Sequence, residues 1–190
     1  MTPLHETLAG LYGAWRLARA DRSGMAYFNT THEGFWRSFI SALIVAPIYI
    51  VLLVMRYHAE QLTVPPVRYV ALEAISYVVA WFIFPLVMFY LVQAIERERQ
   101  FLGFVIAYNW ASVWQNFLYL PVSMVGEMGV LPEDWERSLE LAALVLVFIY
   151  TFYITKISLQ ISNLLAVGIV VVDFLVSVFL NLITEMLLHR

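Results

Sequence analysis

The sequence predicts an all-α protein, a polytopic transmembrane helical bundle of about five spans with an N-terminal amphipathic helix. Three observations lead there. Hydrophobic residues fill 62% of the 190 positions and charged residues only 13%, against about 45–50% and about 25% in soluble domains. The mean hydropathy is +0.78, too high for a chain of this size to hide its apolar bulk from water, so the excess faces lipid. Several apolar stretches also reach the roughly 20 residues that a hydrocarbon core of about 30 Å requires.

The spans fall at residues 36–55, 69–95, 101–121, 132–156 and 163–188. The first follows Thr30-Thr31-His32-Glu33, which reads as a capping box. The second begins after Pro65-Pro66 and stops at Glu96-Arg97-Glu98-Arg99. The third is polar enough to fit a partly re-entrant segment as well as a full crossing. Pro132 opens the fourth, and Glu133, Asp134 and Glu136 occupy its first turn, where a helix N-terminus favours anions. Together residues 36–190 form one transmembrane domain.

Residues 1–35 form a segment of their own. Thr2-Pro3 is a helix start, and Leu4, Leu8, Leu11, Trp15 and Ala18 recur at helical spacing beside Arg16, Arg19 and Arg22. This pattern suits an interfacial helix on the inner leaflet, where each basic residue gains about 1 kcal/mol near anionic lipid. A helix packed against the inner loops is the other reading.

Orientation follows the basic residues at the span ends. Arg16, Arg19, Arg22, Arg37, Arg97, Arg99 and Lys156 lie on one side and outnumber Arg56, Arg68, Arg137 and Arg190 on the other. The N-terminus is therefore expected in the cytoplasm and the C-terminus outside. Met1 to Gly10 has no apolar core or small-residue cleavage site, so the first span directs insertion. Trp36 and Tyr90 mark the inner boundary, and Tyr57, Tyr69 and Trp135 the outer. A multi-pass protein of the bacterial inner (plasma) membrane is expected.

An ionised group at mid-bilayer costs at least about 2.5–3.5 kcal/mol, so each one needs a reason. Asp173 lies near the middle of the last span, and Asp173, Ser177, Asn181 and Glu185 climb one face in steps of four. Asn109, Ser112 and Asn116 form a polar face on the third span, and Glu73 sits near the outer end of the second. Lipid satisfies none of these groups. The third and fifth spans are therefore expected to turn their polar faces together, with Asp173 reaching Asn109 or Ser112. Packing glue and an outward-facing binding site both fit this pattern.

Catalytic chemistry is not legible. Cysteine is absent, the four histidines are scattered, and no hydrolase or phosphate-binding motif occurs. His58 and Glu60 share a loop but make no metal site. Trp81, Trp110 and Trp114 sit deep and read as packing, so no cofactor or metal is expected. A net charge of −3 gives no case for nucleic acid. The expected partners are the lipid bilayer and either a second copy of the chain or another membrane protein.

The segment Gly13-Ala14-Trp15-Arg16, the order of the spans and the short end at His189-Arg190 give a layout that resembles the Yip-domain family of five-span membrane proteins. The resemblance covers the whole chain as topology and carries no site residues. It implies a non-catalytic membrane-organising factor, or a scaffold or partner subunit of a membrane complex. The alternative is a small transporter or ion-coupled component that uses the polar site around Asp173.

Overall fold

A computed structural model describes residues 3–59 and 64–189; Thr2, Glu60 and Arg190, which entered the readings above, lie outside them. The described residues are all-helical. In chain order they form α1 (Pro3–Ala18), a 3-10 turn (Arg22–Tyr27), α2 (His32–Ser38), α3 (Ile40–Ala59), α4 (Pro66–Ala94), α5 (Phe101–Glu127), α6 (Glu133–Leu159) and α7 (Asn163–Leu188). A second 3-10 turn, Glu98–Gln100, leads into α5.

Among the described residues four stretches are long and apolar enough to cross a membrane: His32–Ala59 (α2 with α3), Pro66–Ala94, Glu133–Leu159 and Asn163–Leu188. Their outward surfaces are apolar, as Val67, Val70, Ile75 and Leu86 of α4 and Leu164, Val171, Leu175 and Phe179 of α7 illustrate. At 27 residues α5 equals α6 in length, or about 40 Å, but Asn109, Gln115 and Asn116 lower its hydropathy.

Burial accounts for that polarity. Helix α5 is the centre of the bundle, packed most closely against α6, α3 and α1. Phe104, Val105, Ile106, Ala107, Trp110, Ala111 and Val113 are all buried. Two of its amides meet neighbouring helices instead of lipid: Asn109 Nδ2 donates to Ser38 Oγ at 2.8 Å, and Gln115 Nε2 to Thr151 Oγ1 at 2.9 Å. The helix is continuous from Phe101 to Glu127, with Pro121 inside it and no re-entrant turn.

Local chemistry sets the helix ends. The cap of α2 is Thr31, whose Oγ1 accepts from Gly34 N at 3.1 Å. The expected box is thus offset by one residue from Thr30, and Glu33 pairs with Arg37 one turn on rather than reaching back to the cap. Ser162 caps α7 through Leu165 N. The break before it is sharp, because Gln160 ends α6 in the left-handed region with φ 54°.

Helix α1 packs against the middle of α5. Gly10 faces the Trp110 ring, and a Cβ there would come within 2.5 Å of it. The Trp114 indole donates to Leu11 O at 3.0 Å, and the Tyr150 and Tyr153 hydroxyls donate to Ala14 O and Ala20 O, each at 2.6 Å. At the other end Glu6 accepts from Asn29 and from Arg37 Nη1 at 2.6 Å. The small and polar residues of α1 thus face the bundle, and Leu4, Leu8, Tyr12 and Trp15 remain exposed. The outward stripe has Tyr12 where Leu11 was expected, since Leu11 turns inward.

Trp36 and Tyr90 are exposed at one end of the bundle and Trp135 at the other. Tyr69 departs from the expected aromatic belt: it is buried, and its hydroxyl donates to Leu53 O at 3.2 Å.

Candidate functional site: a polar cavity among four helices

Helices α3 and α4 do not pack backbone to backbone. Aromatic side chains hold them apart: Tyr49 stacks on Tyr77 at 4.7 Å, Tyr57 tilts against Tyr69 at 5.1 Å, and Phe39 stacks on Phe82 at 4.7 Å. Helix α7 lies against α4 and α6. Between α3, α4, α5 and α7 this spacing leaves a cavity of about 570 Å³, within the size range of small-molecule sites.

Each wall of the cavity follows helical periodicity. Helix α7 contributes Asp173, Ser177, Asn181, Thr184 and Glu185. Helix α5 contributes Tyr108, Ser112, Asn116 and Tyr119, and α4 contributes Glu73, Ser76, Tyr77, Trp81 and Phe84. Helix α3 closes the space with Tyr49, Leu52 and Arg56. Six of the seven residues singled out from sequence therefore share one cavity: Asp173, Ser177, Asn181, Ser112, Asn116 and Glu73.

Asn109 does not. Its side chain is fully buried toward α2, on Ser38. The residue on the cavity face is Tyr108, about 100° away around the helix, whose hydroxyl donates to Asp173 Oδ1 at 2.9 Å. This corrects the expectation that Asp173 bonds Asn109 or Ser112. Likewise Ser112 donates to Tyr108 O, Asn116 to Ser112 O and Ser177 to Asp173 O, each within its own helix. The polar faces of α5 and α7 look at each other across space and touch through one phenol. A tyrosine supplies the reach that an amide or serine lacks.

Other cavity groups are fixed by direct bonds. Tyr49 donates to Glu73 Oε2 at 2.9 Å, joining α3 to α4. The Ser76 and Thr184 hydroxyls share a 2.6 Å hydrogen bond between α4 and α7. Arg56 Nε meets Glu127 Oε1 at 3.0 Å, tying the ends of α3 and α5. Among the described residues no basic side chain pairs with Asp173, which is half-buried about 15 Å from the start of α7. The cavity runs from this level toward the end of the bundle where α3 and α7 terminate, near Arg56 and Glu185.

Several of these residues were not singled out from sequence. Tyr108 lies four residues before Ser112 and eight before Asn116, so a strict four-residue step would have found it. Arg56 read as an interfacial charge, and Tyr49, Ser76 and Thr184 carried no signal beyond helical spacing from Leu52, Glu73 and Asn181.

A second, apolar cavity of about 530 Å³ lies between α1, α5 and α6, walled by Trp15, Leu17, Trp114, Phe117, Leu146 and Tyr150. Trp114 and Trp110 belong to this side of the bundle, where both pack against α1, and Trp81 belongs to the polar cavity. Among the described residues no three His, Asp or Glu side chains gather as metal ligands. No protein-family model matches the chain, and no curated protein or solved structure is significantly similar to it.

Proposed function

We propose that this chain is a five-span protein of the bacterial inner membrane that admits a small solute or ion into the polar cavity, as a small transporter or an ion-coupled component. One observation carries this reading. Asp173, a carboxylate at mid-helix, lines a cavity of about 570 Å³ and meets α5 through the Tyr108 hydroxyl. Polar groups used only as packing glue close on one another; here Ser112, Asn116 and Ser177 bond within their own helices and leave space between them. In the expected orientation, with the N-terminus inside, the cavity opens outward. Helix α5, shielded by its neighbours, is the fifth crossing.

Thiol labelling tests this directly, because the chain has no native cysteine. Ser112→Cys and Ser177→Cys should react with a small water-soluble thiol reagent added outside sealed cells. Val113→Cys, in the packed core, should not. Thiols at both cavity positions that stay unreactive in sealed cells and in opened membranes alike would show a dry interior and remove the solute reading.

A second reading, a membrane-organising factor or partner subunit as the Yip-like layout implies, is favoured by α1. Its exposed stripe of Leu4, Leu8, Tyr12 and Trp15 fits an apolar face laid into the inner leaflet. On that reading mild-detergent purification yields a homo-oligomer or a co-purifying membrane protein; a lone monomer would count against it.

A further inference from the structure

The interior charge balance of the polar cavity is uneven. Asp173 and Glu73 face it from α7 and α4, and Glu185 stands toward its open end. Among the described residues the one basic side chain in its wall, Arg56, is held by Glu127 at the end of α3. The Tyr108 hydroxyl is a neutral partner for Asp173. An ionised carboxylate at this depth needs a compensating positive charge, since desolvation without one is costly.

The remaining wall is aromatic. Tyr49 and Tyr77 stack at 4.7 Å, Trp81 lies edge-on to Tyr77 at 6.2 Å, and Phe84 tilts against Tyr108 at 4.9 Å. Aromatic faces attract weakly hydrated cations, and quaternary ammonium groups most characteristically. They do little for a strongly hydrated divalent ion, which takes several oxygen ligands at once. Among the described residues no three His, Asp or Glu side chains gather to hold one. An anion would meet the Asp173 carboxylate, and a neutral solute would leave that carboxylate, when ionised, without a counter-charge.

From this juxtaposition of carboxylates and aromatic rings in one cavity, we infer that the ligand is a small organic cation of the substituted-ammonium class, its positive centre held between Asp173 and the rings of Tyr77, Trp81 and Tyr108. The inference rests on the reading of the cavity as a solute site and adds the sign and type of charge. The uncharged part of the ligand then lies toward Ser177 and Asn181, where hydroxyl and amide groups meet polar substituents.

The test uses the full chain in lipid nanodiscs. Choline and tetramethylammonium are titrated against 3,3-dimethylbutan-1-ol, the uncharged isostere of choline, and against acetate, with thermal stabilisation and tryptophan fluorescence as readouts. The two ammonium ions should stabilise the protein, and the isostere and acetate should not. Asp173→Asn, which keeps an acceptor for Tyr108, should weaken ammonium binding about tenfold or more, and Tyr77→Leu should weaken it by a smaller factor. A fold check on both variants by circular dichroism separates lost binding from lost structure. Equal binding of isostere and choline, or binding of acetate, overturns the cation assignment while the solute reading stands. The same holds if no ammonium ion binds although the Ser112→Cys and Ser177→Cys variants react in the labelling experiment, for the charge on Asp173 is then balanced by a proton. Failure of both variants to react, in sealed cells and in opened membranes alike, overturns both readings.

Discussion

The Tyr108 hydroxyl donates to the Asp173 carboxylate at 2.9 Å, and among the described residues it is the one side-chain hydrogen bond that joins α5 to α7. A single phenol therefore spans the gap between the two most polar helix faces. Removing it takes from Asp173 its side-chain donor on α5, a bond to a charged group. Tyr108→Phe should lower stability by about 1–3 kcal/mol, measured by thermal or denaturant unfolding in detergent. The double variant Tyr108→Phe with Asp173→Leu should recover most of that loss, because leucine removes the stranded carboxylate. A double-mutant cycle with no coupling would show that the bond does not form. Asp173→Lys, which puts a cation at the same depth against a phenol that donated to a carboxylate, should be worse than Asp173→Leu.

Two glycines give a matched pair. A Cβ on Gly10 would lie 2.5 Å from the Trp110 ring, while one on Gly168 meets nothing within 4 Å. The indole is large and held between α1 and α5, so it cannot yield without moving the helices apart. Gly10→Ala should cost about 1–3 kcal/mol through overpacking. Gly168→Ala should be neutral or stabilising by up to about 1 kcal/mol, since alanine is the better helix former. Equal effects from the two would mean that α1 does not dock at Trp110. Undocked, α1 would lie on the bilayer alone, as its sequence by itself allowed.

Asp21 gives a pH dependence with a definite sign. Its carboxylate accepts from the Ser23 hydroxyl at 2.7 Å, from Arg16 Nε at 2.7 Å and from Ser23 N at 3.0 Å. The Ser23 hydroxyl first, then Arg16, then the Ser23 amide lower its pKa from 3.8 to about 2. A group whose folded pKa is depressed contributes stability above its unfolded pKa and loses it as pH falls through the folded value. The 3-10 turn Arg22–Tyr27 should therefore keep constant hydrogen-exchange protection from neutral pH down to about 4 and lose it between about 4 and 2. Asp21→Asn should flatten that profile. A loss centred near neutral pH would implicate another group.

Helix identity was readable because apolar length and charged boundaries are local properties of the chain. Pro66 and Glu133 mark their helix starts by chemistry that a single segment carries. The polar face of α7 was readable for the same reason, as Asp173, Ser177, Asn181 and Glu185 repeat at the helix period. What the sequence did not disclose is which face of α5 meets which neighbour. Asn109 and Tyr108 are adjacent in sequence and about 100° apart on the helix, and composition drew attention to the amide. A buried central helix is polar on several sides because several neighbours satisfy it, so its polarity does not point to one partner. The cavity itself depends on Tyr49, Tyr77 and Phe82 propping α3 and α4 apart, a spacing that single-span periodicity does not encode. The docking of α1 was hidden likewise, since Gly10 and Ala14 become an interface only once Trp110 and Tyr150 lie opposite.

Arg56 supplies the last prediction. It lines the cavity toward its open end and reaches Glu127 at 3.0 Å, with both side chains partly exposed. A partly exposed pair of this kind contributes about 0–1 kcal/mol, so Arg56→Gln should change unfolding only slightly. Its effect on the cavity should be larger, because a positive charge near the entrance repels an approaching cation over roughly a Debye length of about 8–10 Å. Ammonium binding should become faster and tighter in Arg56→Gln, by several-fold at low salt, and the gain should shrink as ionic strength rises. Stopped-flow tryptophan fluorescence at two salt concentrations measures this. Weaker ammonium binding in Arg56→Gln would show that Arg56 acts on the site by fixing Glu127 and the ends of α3 and α5, not by repelling the cation. The sign of that one rate change thus separates charge repulsion at the entrance from a positioning role of the Arg56–Glu127 pair.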